Sequence, residues 1–229
     1  MALLLFGSGT WLERSQLVAL AEVEVVGARR LDPDVVRDVA GLTLGTSTLR
    51  LRLRSARQRV EALPLVGSAT VRRVDPLTVR IAVRERRPAL LLDGRGADAL
   101  VDAEGVVLIH GEASPSGAFG GDLPTLVSRA PPPPPGASVT DAPGVAHAFA
   151  VYRALPGPLR ARVDRYQAVA DDGVELVLSD GVPVRFGRAD RIDEKARALG
   201  ALLEELAGTP VAGIDVRAPR NPVVTAAQA

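Results

Sequence analysis

The sequence predicts an α+β fold in two modules: a small β-α-α-β-β unit, then a larger, mostly antiparallel β domain with flanking helices. Three observations predict it. Alternating and helical apolar periods succeed one another in that order over residues 22–84, and beyond Pro88 the pattern changes to short apolar runs separated by Asp and Gly turns. Charge divides near the same place: residues 1–90 carry 15 Arg against 9 acidic side chains, net +6, and residues 91–229 carry 13 basic against 18 acidic, net −5. The expected division is a lead-in at 1–20, a first module at 21–88 and a second at 89–229.

In the first module, Val23 and Val25 alternate with Glu22 and Glu24, the period of a half-buried strand over 22–27. Asp32 then offers a side-chain cap to the free amides of a helix and Pro33 suits its first position. Val35, Val36 and Val39 supply the apolar stripe, and Gly41 stops the helix. After a connection over 42–48, Ala56, Val60 and Leu63 recur at helical spacing, which predicts a second helix over 55–63 ended by Pro64. Two strands follow, 66–74 and 77–84, joined at Asp75-Pro76. Val79, Ile81 and Val83 alternate with Thr78, Arg80, Ala82 and Arg84, so one face is buried and the other solvated. The two helices should cover one face of a three-stranded sheet.

The second module opens with short strands at 89–92, 100–101 and 106–109, the last after the turn Asp102-Ala103-Glu104-Gly105. Residues 111–122 read as a loop, and 123–127 as a brief return to β. The prolines at 131–135 must be extended, because each ring fixes its backbone angle and removes a donor, and they read as an exposed spacer loop. Val145, Ala148, Phe149, Tyr152 and Leu155 predict a helix over 142–155. Strands at 163–170, 174–178 and 182–186 are joined by the hairpin tips Asp171-Asp172-Gly173 and Ser179-Asp180-Gly181. A long helix over 190–207 buries Ile192, Ala196, Leu199, Leu203 and Leu206, with an acidic start suited to the positive end of its dipole. Short strands at 213–217 and 222–226 close the chain.

Composition narrows the function. Cysteine is absent, which removes disulfides, zinc thiolates and cysteine nucleophiles. His110 and His147 are the only imidazoles, neither in a carboxylate-rich stretch, so both read as structural or surface residues, and no paired-histidine metal motif exists. The phosphate-binding loop needs Gly-Lys before Ser or Thr, whereas Lys195, the only lysine, sits between Glu194 and Ala196. The carboxylates at Asp171-Asp172 and at Asp190, Asp193 and Glu194 read as a turn and a helix start, not a glycosidase pair. Arg50, Arg52, Arg54, Arg57 and Arg59, with Arg72, Arg73, Arg84, Arg86 and Arg87, form a basic stretch without interleaved aromatics. It reads as a solvated face or one meeting anionic lipid headgroups. No catalytic residue, cofactor or metal is expected. Residues 1–12 are apolar but followed at once by Glu13 and Arg14, shorter than the about 20 residues a spanning helix needs. They read either as a frayed terminus or as the outer end of a transmembrane helix cut short at Met1.

Several stretches carry a resemblance, in order. They are Val23-Glu24-Val25-Val26-Gly27, Leu31-Asp32-Pro33-Asp34-Val35-Val36, Leu63-Pro64-Leu65-Val66, Ala69-Thr70-Val71-Arg72-Arg73, and Pro76 to Pro88 with its ending Glu85-Arg86-Arg87-Pro88. The first module thereby resembles the POTRA domain of the FtsQ/DivIB bacterial cell-division family. The second resembles that family's C-terminal domain through Val101-Asp102-Ala103-Glu104-Gly105-Val106, Leu123-Pro124, Phe186-Gly187-Arg188-Ala189-Asp190, the helix with Lys195, and Ile214-Asp215-Val216-Arg217.

The resemblance, over about 21–225, implies a single-pass membrane protein with its bulk extracytoplasmic at the division septum. It would be a non-catalytic divisome scaffold that recruits and regulates other division proteins. The implied partners are FtsB-like and FtsL-like bitopic proteins, with other divisome components through the POTRA domain and no nucleic acid. An edge strand offers unpaired amides and carbonyls that an extended segment can complete. By resemblance the partner strand lies along Asn221, Val223, Val224 and Thr225, with Arg188 and Arg217 meeting partner carboxylates and Ala218 standing where an aromatic residue is common. Pro222 removes one amide donor but suits an edge. The competing readings are a POTRA-bearing polypeptide-transport chaperone and a cell-wall hydrolase.

Overall fold

Residues 18–111, 123–141, 145–169 and 173–227 are described by the computed structural model, and the chain divides into two units between Arg86 and Arg87. The expectations for residues 1–12, for most of the 111–122 loop and for Asp171-Asp172 lie outside the described residues. Among the described residues no helix is long and apolar enough to cross a membrane.

In the first unit, β1 (Glu22–Val26), β2 (Val66–Arg73) and β3 (Thr78–Glu85) form a sheet in the order β1-β3-β2, with β1 parallel and β2 antiparallel to the central β3. Helices α1 (Pro33–Ala40) and α2 (Leu53–Glu61) pack on it. As the sequence predicts, the Asp32 side chain accepts from the Asp34 amide at 2.8 Å, and the Gly41 amide closes α1 on the Arg37 and Asp38 carbonyls. The stripe differs from expectation: Val36 and Ala40, four residues apart, are buried, while Val35 is exposed and Val39 half-buried. In so short a helix only one such pair can face the sheet. With Ala56 and Val60 of α2 they cover Val79 and Ile81, all fully buried. Truncating Ile81 to alanine in such a core costs about 2–5 kcal/mol.

Two arginines of the basic stretch are structural. Arg59 donates through Nε to the Val39 carbonyl at 3.1 Å and through Nη2 to that of Ala40, capping α1. Arg73 donates to the Thr48 carbonyl, its Nε at 2.7 Å. Glu85 explains its motif: one carboxylate oxygen accepts the amides of Arg29, Arg30 and Leu31 at 2.7, 2.8 and 2.9 Å. Burial pushes this carboxyl up, but the three amides and the Arg30 charge outweigh that and hold it below its ordinary value.

The second unit is one nine-stranded sheet. Its strands are β4 (Pro88–Gly94), β5 (Ala97–Asp102), β6 (Val107–His110), β7 (Thr125–Val127), β8 (Val163–Ala168), β9 (Gly173–Leu178), β10 (Pro183–Arg188), β11 (Val211–Asp215) and β12 (Val223–Ala226). They lie in the order β12-β11-β10-β9-β8-β7-β4-β5-β6. Five pairings are antiparallel; β7 is parallel to both β4 and β8, and β10 to β11. Helices α3 (Val145–Ala154), α4 (Gly157–Arg160) and α5 (Ile192–Glu205) complete the unit.

One cross-strand row passes through all nine strands: His110, Ala99, Leu92, Leu126, Tyr166, Leu176, Val184, Ile214 and Val224 stand opposite one another in turn. The seven inner members are buried and form one cluster with α3 and α5, while the two end members are not buried. Burial of one face thus fixes the register of every strand, because a one-residue slip would turn this row to solvent.

The turn into β6 follows from two residues. Asp102 is buried and its Oδ1 accepts the amides of Glu104 and Val106 at 3.0 and 2.8 Å. Gly105 has φ +91, and a Cβ there would stand 2.6 Å from the Phe149 ring. The 131–135 prolines differ from the expected exposed spacer, for Pro132 and Pro133 are half-buried. Pro132 packs on Gly94, the His110 Nε2 donates to the Pro133 carbonyl at 2.6 Å, and the chain then lies along β6, where Val107 exchanges bonds with Gly136 and Ala137. A segment pre-set as extended is suited to lie beside a strand without fraying.

Candidate partner-binding edge

At the other end of the sheet, β12 pairs, among the described residues, with β11 alone. Its two faces differ. Val224 continues the buried row Leu176, Val184, Ile214 and is itself half-buried, whereas Val223 continues the row Glu175, Arg185, Asp215 and is 56% exposed. Thr225 is exposed. Ala218 and Asn221 form the turn before the strand, the Asn221 amide donating to the Ala218 carbonyl at 2.9 Å. Pro222 falls just outside β12.

Arg188 and Arg217 come together in a groove of about 470 Å³, lined also by Arg185, Arg191, Lys195, Glu175, Asp190, Gly173, Gly187, Val169 and Val174. Of its five cations, Lys195 is paired with Asp190 and Arg217 with Asp215, while Arg185, Arg188 and Arg191 stand against Glu175, so the groove keeps an excess of positive charge that suits an anionic group. Arg217 is held side-on by Asp215: Nε lies 3.0 and 2.9 Å from Oδ1 and Oδ2, and Nη2 is 2.6 Å from Oδ2. That pair holds the Asp215 carboxyl below its ordinary value and raises the guanidinium. The Arg217 stem lies over Gly187, where a Cβ would meet its Cγ at 2.8 Å and φ is +75. Gly187 sits at a bulge in the β9–β10 pairing. Glycine is thus what lets the arginine cross β10.

Lys195, in the sequence only a member of the matching helix, takes a positioning role at this groove. Its side chain is 2% exposed, and Nζ donates to the Arg188 carbonyl at 2.8 Å and to Asp190 Oδ1 at 2.6 Å, 5.5 Å from the centre of the Phe186 ring. These contacts offset the cost of burying an ammonium. Lys195's hydrogen bond in turn holds the Asp190 carboxyl below its ordinary value. The clamp fixes the 188–191 turn, where Arg191 adopts φ 44 before α5. The signal was present: Lys195 stands three residues after Ile192 and four before Leu199, on the buried stripe, with Asp190 in reach.

The histidines lie elsewhere. His110 is exposed on β6 and His147 is half-buried on α3. Among the described residues no group of three or more His, Asp or Glu is placed to hold a metal ion.

Comparison with known proteins bears on the family of the chain. The family profile "POTRA domain, FtsQ-type" matches residues 18–86, and "Cell division protein FtsQ/DivIB, C-terminal" matches 89–217. This chain belongs to the FtsQ/DivIB family of cell-division proteins. Cell division protein FtsQ of Streptomyces bingchenggensis is 31% identical over 228 residues, covering 98% of this chain and 83% of its own. That of Mycobacterium leprae is 30% identical over 226 residues, 96% of this chain and 59% of its own, so the chain spans about three fifths of the mycobacterial relative. The major extracytoplasmic domain of DivIB from Geobacillus stearothermophilus aligns with 53% of this chain and 96% of its own, at 18% identity and a TM-score of 0.34, a superposition too loose to compare the folds. The FtsQ/DivIB C-terminal profile ends at Arg217, so β12 lies past the matched stretch while Arg188 and Arg217 fall within it.

Proposed function

We propose that this FtsQ/DivIB-family chain is a non-catalytic scaffold of the division machinery, attached to the membrane by a single N-terminal span with its bulk outside the cytoplasm at the septum. It binds FtsB-like and FtsL-like bitopic proteins. An extended partner segment adds to the outer side of β12, along Val223, Val224 and Thr225, and the turn at Ala218 and Asn221 shapes the approach. Backbone pairing supplies affinity and alternate side chains set register. Partner carboxylates meet the groove at Arg188 and Arg217. Asp215 engages Nε and Nη2 of Arg217, which leaves Nη1 for an incoming acceptor. The observation that supports this most is the open β12 edge beside a groove with an excess of cations.

The test is binding of an acidic, FtsB-like peptide to the purified chain, by calorimetry. Arg217→Glu should weaken it at least about tenfold, as for truncation of a charged hydrogen-bonded contact, and deletion of 221–229 should abolish it. Circular dichroism of both variants checks that the fold survives. Unchanged affinity in both would overturn the proposal.

A further inference from the structure

Six large apolar side chains stand exposed among the described residues, and four of them, Leu44, Leu49, Val74 and Leu77, belong to two loops of the first unit that meet at one end of its sheet. Leu44 is 61% and Leu49 55% exposed. They are held out by a rigid platform. Thr48, 1% exposed, directs its hydroxyl to the carbonyls of Val18 at 3.1 Å and Pro76 at 2.9 Å, and its own carbonyl accepts from Arg73. The Leu20 amide donates to the Thr46 carbonyl at 2.9 Å, the Leu20 carbonyl accepts from the Gly45 amide at 2.8 Å, and the Ala21 amide donates to the Leu77 carbonyl at 2.8 Å. Loops tied down this way cannot fold their leucines inward, so the apolar area stays in water unless something covers it.

The surrounding charge says what covers it. Arg50, Arg52 and Arg54 follow Leu49 and are exposed. Among the described residues at this end, Glu22 starts β1 and Asp75 turns its carboxylate in on the amides of Leu77 and Thr78 at 2.8 and 2.9 Å. The sequence leading to this platform begins apolar, with Leu3, Leu4, Leu5, Phe6, Trp11 and Leu12, and passes through Glu13, Arg14, Ser15 and Gln16 before Val18. Exposed apolar side chains on two joined loops, flanked on one by three exposed arginines and preceded in the sequence by the apolar stretch 1–12, match an interface with hydrocarbon below and phosphate above.

We propose that this end of the first unit docks on an anionic bilayer surface, Leu44, Leu49, Val74 and Leu77 entering the interface and Arg50, Arg52 and Arg54 meeting lipid phosphates. Docking of this kind orients the POTRA-type unit on the membrane, which a tether alone does not. It stands apart from partner binding at β12, which is measured without lipid, so the failure of one is distinguishable from failure of the other.

Because the chain has no cysteine, single Leu49→Cys and Leu77→Cys variants of the full chain can each carry one environment-sensitive dye. Ser68→Cys, exposed near the far end of β2, is the reference. On vesicles of phosphatidylglycerol and phosphatidylcholine, dyes at 49 and 77 should shift to the blue and be quenched by a nitroxide lipid, while the dye at 68 should not. Arg50→Gln and Arg52→Gln should each lower partitioning about fivefold. Chain bound to vesicles with its dyes at 49 and 77 still in water would mean the lead-in attaches without docking, and would overturn the proposal. So would equal burial on phosphatidylcholine alone, or burial of the dye at 49 by the FtsB-like peptide in the absence of lipid.

Discussion

The two margins of the nine-stranded sheet end the same cross-strand row in opposite ways. At β6 the row ends on His110, which is bonded to the Pro133 carbonyl, and residues 131–139 run beside the strand so that Val107 has partners on its outer side. At β12 it ends on half-buried Val224, in a strand of four residues that among the described residues pairs only with β11. An edge is a hazard that natural sheets cover, shorten or charge. Here the first margin is covered by its own chain and the second is left short and open. Among the described residues the same sheet thus covers one margin with its own chain and leaves backbone unpaired at the other.

The strongest way to break the comparison is at the covered margin. Gly105→Ala places a Cβ against Phe149 at positive φ, in the turn whose carbonyl accepts the Val139 amide. It should destabilise the second unit by about 3 kcal/mol, from overpacking and backbone strain together, read in urea unfolding of the full chain. Next in size is replacement of residues 131–135 by Gly and Ser. The freer unfolded chain should cost about 2 kcal/mol, and the loosened strap should expose β6 and produce concentration-dependent self-association in sedimentation. If that variant stays monomeric, the covering role of the prolines is wrong.

The open margin should answer in the reverse sense. Thr225→Glu, on the exposed face of β12, removes little packing, so stability should change by no more than about 0.5 kcal/mol, while affinity for the acidic peptide falls about tenfold by like-charge repulsion. The smallest effect is in acid. Asp215 has a folded value below its ordinary 3.8, so its contribution is complete above that value and lost as pH falls through the depressed one. Asp215→Asn should flatten this part of the stability profile below about pH 4, measured by denaturation at stepped pH.

Much of this was legible in the sequence because the deciding interactions are local. Asp32, Pro33 and Gly41 announce α1, Asp180-Gly181 announces a hairpin tip, and alternation in Val79, Ile81 and Val83 announces the buried face of β3. What escaped depends on partners far along the chain. Nothing near Thr125 says that β7 lies parallel between β4 and β8, and nothing in five prolines says that Gly94 and His110 receive them. Val35 was favoured over Ala40 by its hydrophobicity, whereas helix geometry buries the alanine. At the candidate edge, the arginines could be named from resemblance, but the Asp215 contact, the bare Gly187 beneath Arg217 and the clamp at Lys195 required the register of three strands and a helix.

The clamp has one more consequence. Lys195 carries the only ε-amine in 229 residues, and it is enclosed. Acylating reagents therefore meet little besides the α-amino group while the chain is folded, and modification at residue 195 becomes a clock for how often the start of α5 comes loose.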